Sequence, residues 1–406
     1  MATLPPGFHA LSLPIIQLSL AAVLKCGQSF RWNAYPLKIT SPDASLPTHE
    51  YRFCLRDRVV CLRQTPTDIL YRTVLPDPQP NMTERKLREA ETLLWLKDYF
   101  QLDVDLALLY EQWGSRDKVF LRIRDRFTGI RMLRQDPWEN LISFICSSNN
   151  NISRITKMVQ SLAKEYSLPL LSIPLPDGSG VEETYYPFPP PSVLAKPGVS
   201  TRLRSLGFGY RAEFIHRTAK MLVDTHGTST RPSQTSEPSE LFLHTLRGMA
   251  TEDARAELLK FVGVGRKVAD CVLLMSLDKT DVVPVDTHVH QIAIKHYGMK
   301  GSTKGKTSMT PKLYEELCTK FVKVWGDHAG WAHSVLFTSD LKAFALHGLT
   351  EPQFTSPSPQ KDRKRRIPDE DEMPSLLPTP PRTPFAYNPS PAEHVKKRAR
   401  MRRTPE

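Results

Sequence analysis

The segment FVGVGRKVADC at 261–271 restricts the fold of this chain more than any other. AELLKF (256–261) ends one apolar-periodic helix, Gly263 and Gly265 permit a sharp turn, and KVADCVLLMSL (267–277) begins the next helix. Two helices joined this tightly point the free N–H groups of the second at an anion, most often a nucleic-acid phosphate. The spacing puts Lys267 in the first turn of the second helix. Nineteen residues on, in VVPVDTHVH (282–290), Pro284 and Asp286 announce another helix start. An amine beside a phosphate-gripping turn, with a carboxylate at a neighbouring helix N-terminus, points to covalent chemistry on DNA.

Charge agrees with a polyanionic partner. The 406 residues carry a formal net charge of +12, with 40% hydrophobic residues, as suits a soluble globular chain of two or three domains. The last 51 residues hold 12 Lys/Arg and 7 Asp/Glu, so most of the excess positive charge lies in the body. Cys26, Cys54, Cys61, Cys146, Cys271 and Cys318 lack metal-type spacing. Free thiols in a reducing compartment are expected, and an iron–sulfur cluster of four closely spaced cysteines is not. No metal or organic cofactor is expected.

The apolar stretch at 9–24 contains Pro14 and Gln17, is too short to span a bilayer and lacks a basic n-region, so it reads as a strand and helix of the fold. The alternation in YRFCLRDRVVCLRQT (51–65) predicts a β-hairpin within a β-rich region that extends to about residue 80. From 83 onward the pattern is helical, in TERKLREAETLLWLKDYF (83–100), PWENLISFICSS (137–148), ISRITKMVQSLAKEY (152–166), YRAEFIHRTAKMLVD (210–224) and AGWAHSVLFTSDL (329–341). A proline-rich stretch at 167–192 is expected to be a surface loop, and the polar gap at 225–240 to separate two helices. The fold class expected is α+β. An N-terminal antiparallel β-domain with connecting helices (1–125) packs on an all-helical domain (126–345), followed by a disordered basic tail (346–406).

Each chemically interesting residue also has a plainer role. Most lysines are solvated, yet burial at a helix N-terminus favours a neutral, nucleophilic amine at Lys267. Asp286 is suited to N-capping, which does not prevent it from stabilising the positive charge that develops as a glycosidic bond breaks. Cys271 follows Lys267 by four residues on the same helix face, as a core thiol or as a pocket wall. SSNNNISRI (147–155) has turn chemistry, and Asn149 with Arg154 also suits base edges and phosphates. In LGFGYRAEF (206–214), Tyr210 and Arg211 open a helix and could serve as an aromatic wedge beside a guanidinium. Phe337 by default packs in a core, and His288 makes a polar or phosphate contact. Three classes remain open on these residues: a lysine-based glycosylase, a water-based glycosylase using Asp286, and a non-catalytic DNA-binding hairpin.

Seven segments taken in order resemble the 8-oxoguanine DNA glycosylase/AP lyase family of eukaryotes, within the helix-hairpin-helix superfamily of base-excision enzymes. They are CGQSFRW (26–32), YFQLDVDLALLYEQW (99–113), QDPWENLISFICSSNNNISRI (135–155), LGFGYRA (206–212), VGVGRKVADCVLLM (262–275), PVDTHV (284–289) and AGWAHSVLFTSDL (329–341). The resemblance implies excision of 8-oxoguanine opposite cytosine from duplex DNA by base flipping, followed by strand cleavage through β-elimination. It implies Lys267 as Schiff-base nucleophile, Asp286 as essential carboxylate, and Cys271 and Phe337 on the two faces of the flipped base. The main-chain carbonyl of Gly27 would accept the N7–H that guanine lacks. Asn149, Arg154 and Arg211 would hold the orphaned cytosine, Tyr210 would wedge the stack, and His288 would bind the phosphate. Gly263 and Gly265 would meet the DNA backbone.

The chain departs from the family pattern at two positions. Val262 stands where the family has proline, and His333 where it typically has a glutamine reading the lesion's Watson–Crick edge. Imidazole cannot mimic an amide that donates and accepts at once. A monomer acting on damaged duplex DNA, away from membranes, is expected. The clusters KDRKRR (361–366) and KKRARMRR (396–403) point to the nucleus, with a mitochondrial form left open.

Overall fold

In the computed structural model, residues 4–38, 45–228, 236–300 and 309–349 are described. The alternating segment forms the expected hairpin, β3 (His49–Cys54) and β4 (Val59–Gln64), flanked by β1 (His9–Ser12), β2 (Asn33–Pro36) and β5 (Asp68–Val74). The five strands form one antiparallel sheet in the order β1-β5-β4-β3-β2, with Tyr51 opposite Leu62 and Phe53 opposite Val60. The short helix α1 (Leu20–Val23) follows β1, so 9–24 is a strand and helix, as its pattern suggests.

Alternation sends the two sets of side chains into different cores. Tyr51, Phe53, Val60, Leu62, Ile69 and Tyr71 bury against Leu96, Tyr99 and Phe100 of α2 (Met82–Tyr99) and the residue that follows it. Val59, Cys61 and Leu70 face the opposite side, where Ile173 and Tyr185 cover them. Those two residues come from the proline-rich segment, which is not the loop its composition suggests. It forms a hairpin of β6 (Leu171–Pro174) and β7 (Glu182–Tyr185). Prolines hide the strand signal, but Gly178 and Gly180, at φ +77° and +75°, supply the turn. The hairpin also satisfies a buried guanidinium, since Arg52 donates to Glu50 at 2.6 Å and to the Pro174 carbonyl at 2.8 Å.

Beyond the sheet the chain is helical: α3 (Leu106–Arg116), α4 (Lys118–Ile123), α5 (Pro137–Ser147), α6 (Ile152–Tyr166), α7 (Pro191–Leu194), α8 (Val199–Ser205), α9 (Arg211–His226) and α10 (Pro238–Thr245). There follow α11 (Thr251–Leu259), α12 (Arg266–Ser276), α13 (Thr287–Tyr297), α14 (Pro311–Trp325) and α15 (Ala329–Asp340). On α6 the buried residues Ile155, Met158, Val159, Leu162 and Ala163 recur at helical spacing. Full burial of each larger aliphatic stabilises the helix by about 1.5–3 kcal/mol, more than its intrinsic propensity could supply.

Two helical cores meet at α12. Cys271 and Val272 join α5, α6 and α9 in one core, whereas Leu274 joins α3, α4 and α13–α15 in the other. Gly330 permits the close approach of α15, because a Cβ there would lie 2.3 Å from the Val282 carbonyl oxygen and 2.4 Å from Leu274 Cδ1. The polar segment between α9 and α10 separates two helices as expected, although 229–235 lies outside the described residues. The tail was expected from 346, but ordered packing runs further. Arg126 donates to the carbonyls of Phe344 at 3.2 Å and His347 at 2.6 Å. The rest of the expected tail, with both basic clusters, lies outside the described residues. Among the described residues no helix is long and apolar enough to cross a membrane, and no group of three His, Cys, Asp or Glu could hold a metal ion.

Candidate active site

The turn between α11 and α12 depends on Gly263, whose φ is +83° and whose Cβ would sit 2.4 Å from Phe214 Cδ2. The hairpin is thus seated against α9, the helix that Tyr210 and Arg211 open. Gly265 differs: it is the N-cap of α12 at φ −94°, makes no side-chain cap, and has open space around its Cα. Its bare backbone leaves the first N–H groups of α12 uncapped, as an approaching phosphate requires.

Lys267 projects from the first turn of α12 toward α5. Nζ donates to Ser147 Oγ at 3.3 Å and lies 5.0 Å from the centre of the Phe144 ring. The two helices pack antiparallel, because Asn140 Nδ2 donates to Ser276 Oγ at 2.6 Å at the far end of the seam. Cys271, one turn below Lys267, is buried, and burial pushes its thiol up to about 11 against the opposing pull of the Lys267 charge.

Asp286 is the N-cap of α13, and its Oδ1 accepts the N–H groups of His288 and Val289, each at 2.9 Å. Capping therefore takes one carboxylate oxygen and leaves Oδ2 for other work. His288 stacks edge-on against Phe337 with ring centres 5.0 Å apart, and its Nε2 lies 3.2 Å from Asp340 Oδ2, outside hydrogen-bonding geometry.

His333 sits on α15, only 8% exposed, and neither ring nitrogen is hydrogen-bonded among the described residues. Burial pushes its imidazole down to about 4; Asp286 opposes this, while His288 and Lys267 reinforce it. The His288 ring on Phe337 joins α13 to α15. The ring of His333 lies 6.1 Å from that of Phe337.

The polar loops lie beyond α5 and α8. Asn149 is exposed at φ +47°, a conformation asparagine tolerates, and Asn151 caps α6 by accepting the Arg154 N–H at 3.0 Å. Arg154 is exposed and donates to the Gly207 carbonyl at 3.2 Å. Arg211 is buried, with its guanidinium stacked 4.6 Å from the centre of the Tyr210 ring and bonded to the Ser148 and Asn149 carbonyls. Tyr210 is 48% exposed, with its hydroxyl 3.1 Å from the Ser148 carbonyl. The fold thus ties Asn149, Arg154, Tyr210 and Arg211 into one rim.

Gly27 adopts φ +90°, and a Cβ there would lie 2.8 Å from Ile152 Cδ1 at the start of α6. The side chain of its neighbour Gln28 fixes this segment to distant parts of the chain. It donates to the Arg131 carbonyl at 3.1 Å and to Ser334 Oγ at 3.3 Å, and accepts the Leu133 N–H at 3.0 Å. Arg31 adds a bidentate pair with Glu139 of α5, at 2.8 and 2.7 Å. Sequence reading missed Ser147, Phe144, Gln28 and the buried pair Asp270 and Tyr314. The available signal was polar residues in otherwise apolar runs, which need partners when buried.

A hairpin of this geometry, a lysine on its second helix and a capping aspartate on the next element define a helix-hairpin-helix base-excision protein. Residues 142–320 match the HhH-GPD superfamily of base excision DNA repair proteins, and residues 10–141 match the N-terminal domain of 8-oxoguanine DNA glycosylase. The chain is 35% identical to the N-glycosylase/DNA lyase of Saccharomyces cerevisiae over 82% of its length and 86% of that protein. It is 34% identical to the N-glycosylase/DNA lyase OGG1 of Arabidopsis thaliana, over 83% of this chain and 81% of that one. Among solved structures, the Clostridium acetobutylicum 8-oxoguanine glycosylase/lyase bound to duplex DNA with cytosine opposite 8-oxoG is similar at a TM-score of 0.59. That match has 26% identity and covers 79% of this chain and 91% of the other. The chain belongs to the 8-oxoguanine DNA glycosylase family.

Proposed function

We propose that this protein excises 8-oxoguanine paired with cytosine from duplex DNA and then nicks the strand, with Lys267 as the nucleophile. The observation that carries the reading is the position of the Lys267 amine. It lies over the Phe144 ring face beside the Ser147 hydroxyl, one helical turn from the buried Cys271 thiol. The yeast and Arabidopsis relatives are N-glycosylase/DNA lyases, which supports the same reaction class.

The chemistry runs from these residues. The neutral amine of Lys267 attacks C1′ as the N-glycosidic bond breaks, and the base leaves with the bonding electrons and takes up a proton. The carboxylate of Asp286 stabilises the positive charge spread over C1′ and the ring oxygen in that transition state. Opening of the sugar ring gives a Schiff base between Nζ and C1′. Loss of a C2′ proton then expels the 3′ phosphate by β-elimination, and water releases the lysine.

Cys271 and Phe337 form the faces against which the flipped base rests, and the Gly27 carbonyl accepts its N7–H. His333, whose ring nitrogens have no partner among the described residues, contacts the base edge through one donor or one acceptor. Tyr210 fills the gap left by the flipped base. Asn149, Arg154 and Arg211 hold the orphaned cytosine, His288 and the Gly263–Gly265 backbone hold phosphates, and the protein acts as a monomer. A nuclear location forms part of this reading and rests on the basic clusters.

Borohydride reduction tests the mechanism, because only a Schiff base is trapped covalently. An 8-oxoguanine:cytosine duplex should give a covalent complex with the wild type and none with Lys267→Gln or with undamaged DNA. Base release that persists in Lys267→Gln would instead assign the reaction to water activated at Asp286. Binding without either signal would leave a non-catalytic DNA-binding hairpin.

A further inference from the structure

We propose that Tyr314 is a positioning residue for Asp286, its hydroxyl bridging the buried carboxylate of Asp270 on α12 and the backbone N–H of Val285. The inference rests on the role given to Asp286 and Lys267 above. Tyr314, on α14, donates its O–H to Asp270 Oδ2 at 2.7 Å and accepts the Val285 N–H at 3.0 Å. All three residues are buried, at 5%, 0% and 1% exposure for Tyr314, Asp270 and Val285.

The bridge matters because of where its ends lie. Asp270 is three residues from Lys267 on the same helix, and Val285 is the residue before Asp286. The segment 282–286 has no regular secondary structure of its own, and Pro284 has no N–H to offer. Apart from the Val282 N–H, which donates to the Lys279 carbonyl at 3.2 Å, its backbone is held by side chains from α14. Tyr314 holds Val285, and Cys318, one turn on, directs its thiol to the Val283 carbonyl at 3.5 Å. The Tyr314 hydroxyl thus ties the backbone that carries the carboxylate to the helix that carries the amine.

The anchor is itself clamped by both helices of the hairpin. Arg255 of α11 donates to Asp270 Oδ1 at 2.7 Å, and Arg266 of α12 donates to Oδ2 at 3.1 Å while lying 5.0 Å from the centre of the Tyr314 ring. Burial and the Asp270 carboxylate push the Tyr314 phenol well above its usual range, so the hydroxyl keeps its proton and its direction as donor. A buried tyrosine that only filled space would not need to join two elements at both faces of its oxygen.

Tyr314→Phe keeps the ring and removes the bridge. With protein in excess over duplex, the single-turnover rate of base release should fall roughly 10- to 100-fold, as expected of a sub-ångström to ångström displacement of a catalytic group. Affinity for a duplex carrying a reduced abasic-site analogue should stay within about twofold, because Arg255 and Arg266 still hold Asp270 and with it the two hairpin helices. A Val60→Ala variant in the N-terminal sheet serves as the stability control, and it should keep the wild-type rate. Equal loss of rate in that control, or a Tyr314→Phe rate within about twofold of wild type, overturns the proposal. Hydrogen exchange at the Val285 amide of the wild type needs no substitution, and exchange as fast as in exposed loops would also overturn it. Lys267→Gln and Asp286→Asn are measured alongside. If both abolish base release and Tyr314→Phe does not slow it, only the bridge fails; if neither does, the reading of the site fails and the bridge with it.

Discussion

Ser147 and Lys267 meet across the α5–α12 seam, with Nζ donating to Oγ at 3.3 Å. The bond joins residues 120 positions apart in the chain, and it aims a long, flexible side chain. A lysine loses up to roughly 2 kcal/mol of rotamer freedom when fixed, so an aimed amine needs a partner to hold it. Phe144 offers its ring face on the same side. Ser147→Ala removes the directional contact and keeps the ring. Base release and borohydride trapping should slow by roughly three- to tenfold, the equivalent of about 0.5–1.5 kcal/mol for one hydrogen bond. Duplex affinity should hold. Unchanged trapping kinetics would assign the aim of Lys267 to the ring alone.

Gly27 is constrained twice, by φ +90° and by the 2.8 Å that would separate a Cβ from Ile152 Cδ1. The second constraint can relax, because Cδ1 is the end of a flexible side chain; the first cannot. Gly27→Ala should destabilise the protein by about 1–2 kcal/mol from backbone strain alone, with the side-chain contact adding to it. Adding Ile152→Val, which deletes Cδ1 but keeps Cγ1 at 3.1 Å, should recover part of the contact cost and leave the strain. Urea unfolding of the two single variants and the double variant separates the parts. Complete recovery in the double variant would place the whole cost in the contact. The same variants should lose preference for the lesion duplex over an undamaged one, since the Gly27 carbonyl is the proposed discriminating acceptor.

Local chemistry made much of this site legible in the sequence. The hairpin was readable because glycine alone tolerates φ +83° against Phe214, and Asp286 because an N-cap is decided within three residues. The β3–β4 hairpin followed from alternation in 51–65, and α2, α5, α6, α9 and α15 from their periodicity, whereas β2, β5 and α14 were not read from any such pattern. What stayed hidden depends on partners far along the chain. The Ser147–Lys267 and Tyr314–Val285 contacts have no signature beyond a polar residue in an apolar run. The β6–β7 hairpin was concealed because prolines mask strand propensity, while the burial of Ile173 and Tyr185 against the sheet decides the outcome. Arg211 could be named as a DNA contact, but not as a buried group already bonded to the Ser148 and Asn149 carbonyls.

His333 gives a pH prediction with a definite sign. Its imidazole is pushed from the ordinary 6.5 to about 4, chiefly by burial, so between those values the unfolded chain binds a proton that the folded one refuses. Acidification therefore favours the unfolded state. The stability tied to this ring is fully present above about pH 6.5 and is lost progressively as pH falls toward 4, by up to about 3 kcal/mol. His49, His296, His328 and His347 are also pushed down, so the wild-type slope alone cannot be assigned to one ring. His333→Gln isolates it, because glutamine does not titrate and the other histidines remain. Urea midpoints at pH 7 and pH 4.5 should drop further in the wild type than in His333→Gln. Parallel losses in the two proteins would mean that the His333 ring is hydrated or charged at acid pH, and would remove it from the edge of the base.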